Sequence, residues 1–95
     1  KAITPSKIFK TVTDYFGIRK DDILGKSQTR ECALPRQIAI YLCREKLVMP
    51  YMKIGDLFSR DHSTIISSYK LIKKGVTLND PNIAPIVSYL DKCIG

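Results

Sequence analysis

The chain has 95 residues, 44% hydrophobic and 26% charged, and 16 Lys and Arg against 9 Asp and Glu leave it a net charge of +7. That length allows one domain with one modest core, and the composition is globular rather than disordered. The longest apolar runs are only a few residues, which excludes a membrane-spanning helix, and the opening KAITPSK lacks the apolar stretch of a signal peptide.

Thr4-Pro5-Ser6-Lys7 reads as a helix start, with a hydroxyl at the N-cap and proline at the first helical position. Ile8, Val12, Tyr15 and Phe16 then recur at helical spacing, and Gly17 can end the helix. Residues 18–32 are polar and basic, with one short turn of helix predicted around Asp21-Asp22-Ile23-Leu24. Gly25 breaks that turn, and KSQTRE follows as a loop. A second long helix opens at Ala33-Leu34-Pro35-Arg36-Gln37 and carries Leu34, Ile38, Tyr41, Leu42 and the aliphatic stem of Lys46 inward to about Leu47.

Pro50 starts a short helix with Ile54, Leu57 and Phe58 facing inward. Gly55 inside it either weakens the helix, by about 1 kcal/mol against alanine, or lets another helix approach closely. Ser59-Arg60 is a very short connection, and Asp61 is a good N-cap for a helix bearing Ile65, Tyr69, Ile72 and Val76 on one face. Thr77 to Asn82 forms a polar loop. Asn79 or Asp80 is expected to cap a last helix that buries some of Ile83, Ile86, Val87, Leu90 and Ile94. Strand-like alternation, internal repeats and low-complexity tracts are absent, so the fold class is all-α, with about six helices. The short helix 51–58, a tight turn and the helix 62–75 make a helix-turn-helix pattern.

Cys32, Cys43 and Cys93 show no CxxC spacing and have one histidine to join them, a poor set for zinc. They are read as reduced thiols of a cytoplasmic protein. Beginning at Lys1, the chain is read as a fragment of a longer protein. Its positive charge favours an anionic partner, nucleic acid ahead of an acidic membrane surface. No membrane binding is predicted, because the apolar helix faces are needed for the core.

RDHST, residues 60–64, falls at the first turn of the second helix of that pattern, where base edges are read in DNA-binding proteins of this kind. A catalytic set is disfavoured, since adjacent residues on a helix splay by about 100° whereas a Ser-His-Asp triad converges from separate parts of a fold. Asp61 alone is explained as a cap, and His62, Ser63 and Thr64 singly as a solvated first turn. Together with Arg60 they supply many groups able to meet phosphates and base edges. Arg36 and Gln37 open another predicted helix, where a basic residue opposes the dipole; a bound phosphate would resolve that conflict, and simple solvation of Arg36 would serve equally. Lys26, Gln28 and Arg30 lie on a polar loop, and Lys70, Lys73 and Lys74 on the outer face of the helix 62–75.

ALPRQIAIYLCRE, followed by IGDLFSRDHSTI, resembles the C-terminal domain of the bacterial replication initiator DnaA, whose signature is similar to PRQIAMYL, then IG, then FGGRDHTTV. ITPSKIFKTVTDYFGI also matches the start of that domain. The resemblance covers about residues 3–76 well and the last helix more loosely. It implies a six-helix domain that binds duplex DNA at short asymmetric DnaA boxes of the replication origin, one monomer per box. Asp61, His62, Ser63 and Thr64 would lie at the major groove. Arg36, Gln37, Arg44, Thr64 and Lys70 match positions that mainly hold phosphates, and the loop Lys26 to Arg30 matches one that reaches the adjacent minor groove. ATP is expected in an upstream module, with no cofactor in this chain, and other copies of the initiator would be met through absent domains. Three departures stand out: Gln28 where the family usually has arginine, FSRDH one residue shorter than FGGRDH, and Ser63 in place of threonine. A helix-turn-helix transcriptional or transposase-type regulator acting on another site, and a module binding an acidic protein, stay open as alternatives.

Overall fold

The computed structural model describes residues 2–95, which form six helices and no strand. Helix α1 (Pro5–Phe16) begins as its sequence dictates: Thr4 Oγ1 accepts from the Lys7 N–H at 3.2 Å, and Pro5 follows the cap. It ends at Gly17, whose φ of 67° lets its N–H return to the Thr13 carbonyl at 2.9 Å. Ile8, Phe9 and Val12 are buried, whereas Tyr15, expected inside, is 44% exposed. Phe9 takes the inward place, its ring 5.3 Å from that of Phe58. Phe9, Val12 and Phe16 share a face by their spacing of three and four, and that face turns Tyr15 outward to meet Tyr89 at 5.6 Å.

A single turn, α2 (Lys20–Leu24), ends at Gly25 as expected. The next helix, α3 (Arg30–Leu47), starts at Arg30 instead of Ala33. The Thr29 carbonyl accepts from the N–H groups of Cys32 and Ala33 at 3.0 and 2.7 Å, so the loop is shorter than expected. Pro35 therefore lies inside the helix. The carbonyl that loses its helical partner there belongs to exposed Glu31. All six residues from Ile38 to Cys43 are buried, which makes α3 the central post against which α1, α2, α4 and α5 pack. Burial pushes the Cys43 thiol up to about 12, leaving it neutral and inert.

Helix α4 (Tyr51–Phe58) and α5 (His62–Thr77) are joined by Ser59, Arg60 and Asp61. The turn closes because Ser59 takes a left-handed φ of 55° and the Arg60 N–H reaches the Gly55 carbonyl at 2.9 Å. Gly55 is required by this approach: a Cβ there would sit 2.6 Å from the Arg60 carbonyl oxygen. The glycine thus admits a turn, not another helix. Ile54 and Phe58 are buried and Leu57 partly so; Ile65 and Ile72 are buried, with Tyr69 and Val76 packed beside them. Tyr69 stacks on Tyr41 at 5.4 Å and donates its hydroxyl to the Glu45 carboxylate, which pushes the phenol up to about 12.

The last helix, α6 (Ala84–Ile94), has Ile83 at its N-cap and no side-chain cap. Asp80 instead shapes the preceding turn, its Oδ1 accepting from Asn82 at 2.8 Å and its carbonyl from Ile83 and Ala84. Val87, Leu90 and Ile94 are buried, and a Lys46–Asp91 ion pair of 2.7 Å ties α6 to α3. Among the described residues no helix is long and apolar enough to cross a membrane.

Candidate nucleic-acid interface

The first turn of α5 projects from the body of the protein. Asp61, His62, Ser63 and Thr64 are all exposed. Asp61 Oδ1 accepts from the Thr64 N–H at 2.8 Å and from Ser63 Oγ at 2.9 Å, and these bonds hold its carboxyl below the usual aspartate range. The carboxylate is thereby committed to the cap, with no relay through His62. Among the described residues no group of three side chains could hold a metal ion.

Beside this turn runs a shallow groove of about 290 Å³ between α3 and α5, lined by Gln37, Ser63, Thr64, Ser67, Ser68 and Leu71. Gln37, Ser63 and Thr64 are among the residues the sequence points to; Ser67, Ser68 and Leu71 are not. Their signal was present, since Ser63, Ser67 and Leu71 succeed one another every four residues along one helix face. Leu71 is 50% exposed at the far end of the groove.

Arg36 was expected at a helix N-terminus on a phosphate, and its position fits neither half of that expectation. It lies well inside α3 and is 5% exposed. Nε donates to the Ile23 carbonyl at 2.5 Å, Nη1 to Ser27 at 2.9 Å, and Nη2 to Asp22 and Gly25 at 3.0 Å each. Burial, and next the charge of Arg60, push the Arg36 pKa below its ordinary value. The sequence carried a warning, because Arg36 heads a row with Ala39, Ile40 and Cys43 at spacings of three, four and seven, and all of these are buried.

Arg60 is also engaged, donating from Nη1 to the Phe58 carbonyl at 2.9 Å and from Nη2 to Gly25 at 2.6 Å. Arg44 is half-buried; its guanidinium lies 4.4 Å from the Tyr51 ring centroid and donates to the Met49 carbonyl at 2.9 Å. Lys26, Gln28 and Arg30 are exposed on the loop and at the start of α3, in the chain segment whose Gly25 and Ser27 carbonyls Arg36 holds, and Lys70 is exposed on α5. The loop itself is shaped by Ser27, whose Oγ accepts from the Thr29 N–H at 3.3 Å.

A short helix, a three-residue turn and a longer helix with an exposed polar first turn, on a strongly basic all-helical body, define a helix-turn-helix domain of the DNA-binding class. Residues 5–72 match the family described as bacterial DnaA protein helix-turn-helix, and the chain belongs to that family. It is 64% identical over 85 residues to chromosomal replication initiator protein DnaA 2 of Protochlamydia amoebophila, covering 90% of this chain and 19% of that protein. It is 48% identical over 90 residues to DnaA 1 of Chlamydia pneumoniae, covering 95% of this chain and 20% of the relative. A more distant relative, DnaA of Citrifermentans bemidjiense, is 42% identical over 79 residues, covering 82% of this chain and 17% of that protein. The chain therefore spans about a fifth of the length of the curated relatives it matches.

Proposed function

We propose that this domain is the duplex-DNA-reading part of a DnaA-type chromosomal replication initiator and binds DnaA boxes at the origin, one domain per box. The first turn of α5 enters the major groove, where His62, Ser63 and Thr64 meet base edges and Asp61 sets the turn. Ser63 and Thr64 hydroxyls can donate or accept, and the exposed imidazole of His62 offers both a donor and an acceptor. Gln37, Thr64, Arg44 and Lys70 hold phosphates on either side of that turn. Lys26, Gln28 and Arg30 enter the adjacent minor groove, where the neutral Gln28 brings less attraction than an arginine would to a narrow groove. Arg36 and Arg60 act from behind, by fixing the loop that carries those residues. ATP chemistry is assigned to a separate module of the whole protein, which would work in the cytoplasm on the nucleoid.

The observation that carries this reading is the exposed hydroxyl-rich first turn of α5 beside the Gln37 groove, on a chain of net charge +7. Fluorescence anisotropy at moderate salt, with a DnaA-box duplex and a scrambled duplex of equal composition, tests it. Preference for the box by tenfold or more, with one domain per duplex, is the expected result. Equal affinity for both duplexes would reject box recognition. Loss of all binding would reject the DNA reading itself.

A further inference from the structure

Two arginines meet at one carbonyl beneath the 25–29 loop. Gly25 O accepts from Arg36 Nη2 at 3.0 Å and from Arg60 Nη2 at 2.6 Å. Neither guanidinium is in an ion pair with a carboxylate among the described residues. What they hold is backbone. Arg36 belongs to the buried post α3, and its three other bonds fix Asp22, Ile23 and Ser27. Arg60 belongs to the α4–α5 turn, and its Nη1 is bound to Phe58 O at 2.9 Å.

Arg60 is also held through its backbone, since its N–H is bonded to Gly55 O and its carbonyl oxygen lies 2.6 Å from where a Cβ on Gly55 would be. The next residue, Asp61, is the N-cap of α5. An unbroken line of short bonds therefore runs from the loop, through Gly25 O and the Arg60 fork, to the turn that sets the direction of α5. Gly25 is itself seated tightly, because a Cβ there would be 2.8 Å from the Asp21 carbonyl oxygen. The Arg60 fork thus bonds the loop and its own turn at once.

We infer that Arg60, with Arg36 behind it, is a positioning residue that couples the loop bearing Gln28 to the recognition turn bearing His62, so that the two elements read DNA as one rigid unit. The inference rests on the DNA-reading function proposed above and adds to it an energetic link between the two contacts. An arginine suits the task because its planar fork reaches two carbonyls in fixed geometry; a lysine keeps the charge but presents a single flexible ammonium. Were Arg60 instead a phosphate contact, lysine would serve nearly as well.

The test is a double-mutant cycle of Gln28→Ala and His62→Ala, measured as affinity for the box duplex. In the native background each change removes part of the other's contribution, so the double variant should lose less than the product of the two single losses, by about fivefold or more. In an Arg60→Lys background the losses should multiply to within about twofold. Arg60→Gln, run in parallel, should give the same result, since loss of the fork and not loss of charge is the cause. Multiplicative losses in the native background would overturn the coupling while leaving the two contacts standing. Coupling that persists in both Arg60 variants would overturn Arg60 as its carrier. No loss from either single variant would overturn the underlying reading, and this inference with it.

Discussion

The first turn of α5 and the knot beneath the 25–29 loop lie on the two sides of Arg60, and they use polar groups in opposite ways. At the α5 turn, Asp61, His62, Ser63 and Thr64 stand in water, and their mutual bonds span no more than three residues. In the knot, Arg36 is buried and spends its donors on carbonyls up to 14 residues away. The exposed turn retains a His62 side chain that none of these bonds uses and that stays available to a ligand. The buried knot spends four of the five Arg36 N–H groups on backbone carbonyls, and its worth lies in what it keeps in place. A basic residue that matches a DNA-contacting pattern can therefore spend its donors on the fold's own carbonyls.

The sharpest way to break the contrast is to remove the buried member. Arg36→Ala leaves the carbonyls of Asp22, Ile23 and Ser27 without this donor, at about 1–3 kcal/mol for each carbonyl that stays dry. A loss of roughly 3 kcal/mol or more in denaturant unfolding is expected, a large part of the 5–15 kcal/mol typical of a small domain. A change below about 0.5 kcal/mol would mean the knot is not structural. Gly55→Ala should follow at about 1–3 kcal/mol, because the new methyl meets backbone that cannot swing aside. Its unfolding midpoint in urea checks this.

The exposed side answers to different readouts. His62→Ala should leave thermal unfolding nearly unchanged and narrow the gap between box and scrambled duplex by about 1–3 kcal/mol. An unchanged gap would remove His62 from base reading. Asp61→Asn separates cap from charge. The Asp61 carboxyl is held below its ordinary value, so its ionised cap stabilises the fold above that value and is lost as pH falls through the acid range below about 4. Asparagine caps without titrating, so the variant's melting temperature should fall less steeply from pH 5 to pH 2. The smallest effect belongs to Ser59→Gly. Removing a side chain from a φ of 55° should stabilise the turn by about 0.5–1 kcal/mol in chemical unfolding.

Local chemistry made most of the helices legible. Thr4-Pro5, Gly17, Pro50 and Asp61 mark ends that follow from bonds between near neighbours, and the periodicity of α4 and α5 follows from one buried face. Expectations failed where a distant contact decided, or where one local bond prevailed over another. Proline in a first turn is a good local rule, but the Thr29 carbonyl takes the first helical bonds, from Cys32 and Ala33, and moves the start to Arg30. Tyr15 fits a helical stripe, yet the aromatic packing of Phe9 on Phe58 sets which face turns inward. Asp80 is a good capping residue by type, but its carboxylate serves the turn before α6.

The candidate site divides in the same way. The Asp61 cap could be read from RDHST because its partners are within three residues. Arg36 could not be placed from PRQ, because its partners belong to α2 and the loop after it. The one available hint was its register with Ala39, Ile40 and Cys43. Ser67 and Ser68 needed only the α5 face to be followed one more turn.

Which face of the domain meets DNA decides most. Chemical-shift mapping of the labelled domain, titrated with a DnaA-box duplex, measures that. The largest changes should fall on His62, Ser63, Thr64 and Ser67 together with Lys26, Gln28 and Arg30, while the α1–α6 face around Tyr15 and Tyr89 stays silent. Changes centred on Tyr15 and Tyr89, with the first turn of α5 unmoved, would contradict it.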